Sequence, residues 1–240
     1  MAMNLHTQVE QGILQQIRSG ALKPGDQIPP ETELAGQLGV SRPTVRQALS
    51  QLTADGYLVR IKGKGSFVTV PKLLHESTSM ISSYRQESEA KGLRISTKVL
   101  RQEVVHPDKA ILERLNLPRG KKVSVLTRMR YVEGYNEGRP VVLTTVYVPY
   151  ELFPTLPTID YTNSSLYDTM EEHGIIVRHV SRELEAVIPD AESAELLRIS
   201  PFEPVIFLTS VGSTADRVPV EYSESMYPAG CSKFHITFDR

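Results

Sequence analysis

Two groups of residues in this 240-residue chain have types and spacings suited to chemistry, and both would handle anions. The first is Ser41, Arg42, Pro43, Thr44, Arg46 and Gln47, followed by Lys62-Gly63-Lys64. Guanidinium, amide and hydroxyl groups read phosphates and base edges. Lysines around a glycine let backbone and charge approach a polyanion together. The second group centres on Arg128 and Arg130. Two apart on a strand, they project from one face while Met129 and Tyr131 point the other way. Adjacent guanidiniums repel unless an anion sits between them, and a phosphate, sulfate or carboxylate matches their donor forks. Ser165, at a predicted helix start, adds a hydroxyl and free backbone N–H groups. The alternative is an exposed edge-strand pair balanced by Glu185 or Glu221, with Ser165 only a cap.

The elements that must position the first group are legible around it. Ser41 stands at a helix N-cap position, and Val45, Ala48, Leu49 and Leu52 recur at helical spacing. Pro43 is tolerated in the first turn, where its missing N–H has no helical partner. Just upstream, Pro30, Glu31, Glu33, Leu34, Ala35 and Leu38 predict a short helix that Gly39 breaks, giving a helix-turn-helix. After Gly56 the period changes, and residues 57–61 and 66–70 read as strands flanking the Lys62-Gly63-Lys64-Gly65 tip, a β-wing. Leu5, Val9, Ile13 and Ile17 predict a first helix ending near Gly20, before the turn-forming Lys23-Pro24-Gly25-Asp26. Residues 1–70 thus read as a winged helix-turn-helix.

Net charge is −1, yet residues 1–75 hold eight Lys and Arg against five Asp and Glu, so positive charge is segregated to this end. The near-neutral overall charge, with a large second domain, argues against a non-specific architectural DNA protein. No apolar run spans a bilayer and no signal peptide is evident, so a cytoplasmic protein is expected. The lone Cys231 excludes an internal disulfide and a cysteine-cluster metal site.

Residues 71–80 lack periodicity and read as a linker, and residues 81–240 as a second domain. There, strands are predicted near 94–105, 122–132, 141–148, 175–188, 204–213, 218–227 and 233–239, and helices near 82–91, 107–116, 165–173 and 190–198. Asp108, Ser165 and Asp190 are placed to start helices. Strands in succession, with helices between only some of them, predict an α+β fold on an antiparallel sheet.

Residues 24–68, with PGDQIPPETELAGQLGVSRPTVRQALSQLTADGYL followed by GKGSFV, closely resemble the DNA-binding domain of the GntR family of bacterial regulators. The resemblance implies DNA contacts from Ser41, Arg42, Thr44, Arg46 and Gly63. Thr32 stands where the family often has Arg.

The second half is similar to the effector domain of the HutC subfamily, a chorismate-lyase-like fold called UTRA. This rests on Leu126-Thr127-Arg128-Met129-Arg130, Gly138-Arg139-Pro140, Tyr147-Val148-Pro149, Ser165-Leu166-Tyr167 and the stretch from Pro219 to Tyr227 with Lys233-Phe234. By resemblance, Arg128, Arg130, Ser165, Tyr167, Glu221 and Tyr227 would bind the effector, with Glu221 and Tyr227 at its far end. A core role for Tyr167 and a sheet-surface role for Glu221 stay open. Ser83-Tyr84-Arg85 aligns with a phosphate-binding segment in which Arg85 replaces a small residue. Thr144 replaces a Glu that often binds sugar hydroxyls, and Pro228-Ala229-Gly230 departs from a more basic stretch.

The carboxylate pairs Glu171/Glu172 and Glu183/Glu185 read as solvated faces, the six histidines show no metal spacing, and no nucleophile or nucleotide-loop pattern stands out. No cofactor, metal or catalysis is expected. The resulting expectation is a homodimeric regulator, by default a repressor, that reads palindromic double-stranded operator DNA. An anionic metabolite, most simply a sugar or sugar-amine phosphate, would release it; a carboxylate metabolite is the alternative.

Overall fold

The computed structural model describes residues 4–69, 71–75 and 92–236. The helix expected at 82–91, with Ser83, Tyr84 and Arg85, lies outside the described residues. The chain divides into two compact units between Lys72 and Leu73.

The first unit contains α1 (Leu5–Arg18), β1 (Gln27–Ile28), α2 (Glu31–Leu38), α3 (Arg42–Ala54), β2 (Leu58–Ile61) and β3 (Gly65–Val68). Its strands lie in the order β1-β3-β2, all antiparallel. Val45, Ala48, Leu49 and Leu52 of α3 meet Val9, Ile13 and Leu14 of α1, Leu34 of α2, and Ile28, Leu58 and Val68 of the strands. The expected stripe on α1 is corrected at its start: Leu5 is exposed and Leu14 is buried instead. Successive steps of four residues gain about 40° on a helix of 3.6 residues per turn, so such a stripe drifts off the core. Gly39 takes φ 64°, ends α2 and makes the turn into α3.

In the second unit a six-stranded sheet holds β5 (Ile95–Val105), β6 (Val123–Val132), β7 (Val142–Pro149), β8 (His179–Val187), β9 (Val205–Ser213) and β10 (Pro219–Pro228). The order β5-β6-β7-β10-β9-β8 is antiparallel throughout, so the fold is α+β as expected. The helices are α4 (Lys109–Arg114), α5 (Leu166–Glu172) and α6 (Ala191–Leu197). Asp108, Ser165 and Asp190 cap them by accepting from the Ile111, Asp168 and Ser193 amides. The expected linker is corrected: Leu73–His75 form β4, which pairs in parallel with β11 (Ser232–Phe234) inside this unit. β8 begins four residues later than expected because Ile175 is buried in the apolar cluster under α5.

Strand alternation gives the large sheet two different faces. On one, Met129, Leu143 and Val205 pack with Leu197 of α6, and Val123, Val125 and Tyr222 pack with Leu115 just past α4. On the other, Leu126, Val146 and Val148 lie under α5 and the turn at Leu156–Thr158. The far end of that second face, at Val132, Val142 and Tyr227, is covered by Leu73 and Phe234. Between these two apolar covers runs a polar strip, and it holds Arg128 and Arg130.

Candidate functional site

The basic end is built on α3. Ser41 adopts extended backbone, and its hydroxyl accepts from the Thr44 amide at 3.3 Å and lies 2.8 Å from the Thr44 hydroxyl. Arg42, Pro43, Arg46 and Gln47 are exposed on the same first turns. Arg46 Nε donates to Glu31 Oε2 at 3.0 Å, and Arg60 Nη2 of β2 lies 3.4 Å from Glu31 Oε1. One carboxylate at the start of α2, where the helix dipole favours it, therefore joins the reading helix to the wing. Glu31 and Arg60 were not singled out in the sequence. Neither carries a local signal, since their pairing needs three elements brought together.

The wing tip Lys62-Gly63-Lys64 is exposed, with Gly63 at φ 77°. Gly65 is required on two counts. Its φ is 116°, and a Cβ there would stand 2.8 Å from Gln27 Nε2, which donates to the Lys64 carbonyl at 2.7 Å. Gln27 thereby braces the tip from β1. Thr32 is exposed on α2.

In the second unit β6 is an interior strand, so the arginine pair does not lie on an edge. Arg128 is only 5% exposed and Arg130 is buried beside it. The Arg128 guanidinium lies 5.6 Å from the centre of the Tyr161 ring, and its Nε is buried with no hydrogen-bond partner among the described residues. Burial, and then the neighbouring Arg130 charge, push its pKa well below the usual value, with Tyr161 opposing. Neither Glu185 nor Glu221 balances Arg128: Glu185 is registered with Phe207 on the opposite face of the sheet, and Glu221 accepts from Tyr167. Arg130 Nη1 makes a long hydrogen bond of 3.4 Å to the Thr144 hydroxyl, which lies 3.0 Å from that of Ser225. Arg128, Thr144 and Ser225 stand directly opposite one another across β6, β7 and β10.

Tyr161 ties this strip to α5. Its hydroxyl lies 3.1 Å from that of Thr169, which donates to the Ser165 carbonyl at 3.0 Å. Ser165 is buried and caps α5, so its oxygen is engaged by the Asp168 amide. Tyr167 donates to Glu221 Oε1 at 2.9 Å. Glu221 is 1% exposed, and burial raises its pKa to about 7 against the opposing pull of Tyr167, Ser223, Arg182 and the Gly212 amide. Burial and then the Glu221 charge raise the Tyr167 phenol well above its ordinary value. A Cβ at Gly212 would stand 2.7 Å from Glu221 Oε1, so this glycine makes room for the carboxyl.

Glu221 and Tyr227, both expected from the resemblance to bind groups at a ligand's far end, do not stand side by side, which corrects any reading of them as neighbours. Six residues apart on β10, they are separated by roughly 20 Å along the strand. Tyr227 packs edge-on against His75 and Phe234 at one end of the strip, while Glu221 lies under Tyr167 at the other. The reading of Glu221 as a sheet-surface charge is corrected as well, by its burial. Ser223, Ser225, Ser210 and Arg182 share the arginine face of the sheet, Tyr161 packs near Arg128 from a turn, and all five were missed. The available signal was the alternation Glu221, Ser223, Ser225 along β10, where small hydroxyl residues take the places of core side chains. A cavity of about 290 Å³ between α5 and residues 175–178 has Tyr167 and Arg178 in its lining but neither Arg128 nor Arg130.

An exposed basic winged head and a separate sheet unit with buried arginines define a DNA-binding regulator that carries a small-molecule domain. Residues 5–68 match the family described as bacterial regulatory proteins, gntR family, and residues 90–230 match the UTRA domain. The HTH-type transcriptional repressor NagR of Bacillus subtilis (strain 168) is 27% identical over 237 residues, covering 98% of this chain and 95% of NagR. The mannosyl-D-glycerate transport/metabolism system repressor MngR of Escherichia coli (strain K12) is 29% identical over 236 residues, covering 98% and 96%. The crystal structure of PhnF from Mycobacterium smegmatis superposes with a TM-score of 0.76 at 28% identity, covering 96% of this chain and 99% of that one. The chain belongs to the GntR family of transcription regulators, in its HutC-type branch with a UTRA domain. No helix among the described residues is long and apolar enough to cross a membrane.

Proposed function

We propose that this protein is a cytoplasmic, non-catalytic repressor that acts as a homodimer on an operator of inverted half-sites and is released by an anionic metabolite, a sugar or sugar-amine phosphate. The observation that carries the ligand reading is Arg128, a buried guanidinium whose Nε has no partner among the described residues. Leaving a charge in that state is costly, and a bound oxyanion relieves it with charge-assisted hydrogen bonds. Thr144 contributes a hydroxyl to Arg130 at a position where the family often has a carboxylate, which favours a more acidic ligand. NagR and MngR are both named as repressors, and the name of MngR refers to mannosyl-D-glycerate, a sugar derivative that carries a carboxylate.

On the DNA side, Arg42, Arg46 and Gln47 would read the groove, with Ser41, Thr44, Lys62, Gly63 and Lys64 on phosphates. Twofold symmetry of the protein implies palindromic half-sites. Ligand on the arginine strip would favour a spacing of the two heads that no longer fits both half-sites, a coupling of typically about 1–3 kcal/mol. The test is binding to a labelled fragment of the protein's own upstream DNA at fixed salt, with and without a panel of phosphosugars and organic acids. Release by one phosphosugar is the expected result. Release by a carboxylate alone would replace the phosphosugar assignment. Salt-sensitive binding without sequence preference would overturn the regulator mechanism.

A further inference from the structure

We infer that the effector site has a second end, formed by Ser210 and Arg182, which takes a neutral oxygen acceptor such as a sugar hydroxyl or ring oxygen. This rests on the reading of the Arg128 strip as the effector site. Ser210 is 4% exposed, and its hydroxyl has no partner among the described residues. The same holds for Nε of the half-buried Arg182. The two residues are registered directly opposite each other on β9 and β8, so their side chains share one face of the sheet. That face is the arginine face, because Ser210 pairs with Ser223, Ser223 with Val146, and Val146 with Leu126, two residues before Arg128.

The nearest polar neighbours are already engaged. Glu221 is held by Tyr167, Ser223 and the Gly212 amide, and this leaves the Ser210 hydroxyl and Arg182 Nε as groups at this end without a hydrogen-bond partner among the described residues. Nε only donates and a serine hydroxyl can donate, so the group they would share is an oxygen acceptor. Glu221, within electrostatic reach of Arg182, disfavours a second acid there and favours a neutral oxygen. Between the two ends lie Thr144, Ser225 and Ser223, short hydroxyl side chains on the same face of the sheet. Three strand spacings separate β6 from β9, about 14 Å between backbones. The site therefore suits a molecule with an acidic group at one end and several carbons bearing oxygens behind it, rather than a bare anion.

Calorimetric titration of the full-length protein with inorganic phosphate, glycerol 3-phosphate and the 6-phosphates of glucose, mannose and glucosamine tests this. Wild type should bind at least one hexose phosphate tenfold or more tightly than inorganic phosphate, with glycerol 3-phosphate between. Ser210→Ala and Arg182→Met should each cut that advantage at least fivefold while phosphate affinity stays within twofold. Ser210→Ala should melt no lower than wild type, since no protein hydrogen bond is lost. An unchanged ratio in both variants, or no advantage for any hexose phosphate in wild type, overturns the second end. Equal phosphate binding by wild type and Arg128→Ala would instead remove the anion reading on which it rests.

Discussion

The winged head and the effector sheet each depend on arginines, and they keep them in opposite states. Arg46 is 59% exposed in its side chain and shares Glu31 with Arg60, whereas Arg128 is 5% exposed and has no carboxylate beside it among the described residues. An exposed arginine is well solvated, so it can be aimed by one carboxylate and still offer its outer nitrogens to a phosphate. A buried arginine without a counter-charge has no such freedom, and its desolvation becomes part of the driving force for binding an anion. On the proposed function, DNA recognition is set by aim and ligand recognition by burial.

The sharpest way to break this comparison is to remove each arginine in turn. Arg128→Ala should weaken an anionic effector by about 3–5 kcal/mol while leaving operator affinity near normal. Arg128→Met should raise the melting temperature of the ligand-free protein, because an uncompensated buried charge is replaced by an apolar chain. A melting temperature that falls with Arg128→Met would show that the guanidinium is satisfied in the native state.

A second test concerns the buried acid. Unfolded, the Glu221 carboxyl has the ordinary glutamate value of 4.5; folded, burial raises it to about 7. Between those values the native state holds a proton that the unfolded chain has lost. The stabilisation from this group is therefore complete below about pH 4.5 and is lost as pH rises through 7, by about 3 kcal/mol for this residue alone. Denaturant titrations across that window should show a slope in wild type that Glu221→Gln flattens. Parallel pH curves would place the carboxyl in a wetter setting.

On the head, Arg46→Ala should cost about 1–3 kcal/mol of operator binding with little change in melting temperature. Glu31→Gln has the smallest expected effect on stability, about 0.2–1 kcal/mol, since both of its ion pairs are solvent-exposed. Its effect on operator discrimination should be larger than that, and a double-mutant cycle with Arg46→Ala measures the coupling. Full additivity in the cycle would show that Glu31 does not aim Arg46.

Much of the head was legible because its signals are local. A cap at Ser41, a proline in the first turn, four apolar positions at helical spacing and glycines at turns all act within a few residues of one another. The misses there, Leu5 on α1 and the Glu31 tether, concern contacts between elements. In the effector unit the strands and capped helices could be read, and so could the shared face of Arg128 and Arg130, since alternation along a strand is also local. Leu73–His75 looked like linker because three residues carry no period, and only pairing with β11 makes them a strand. Glu221 and Tyr227 were grouped by resemblance, but strand geometry sets them at opposite ends of the strip.

The sequence by itself determined the family, the winged head, the α+β class, and which face of β6 carries its arginines, because motif, cap and alternation are written in neighbouring residues. Tertiary structure alone decided that β6 is interior, that Arg128 is buried without a counter-charge among the described residues, and that Ser210 and Arg182 join the same face from β9 and β8. Strand order and burial arise from pairings between residues far apart in the chain, and they fix the dielectric and the partners that turn an arginine from a surface charge into a binding site.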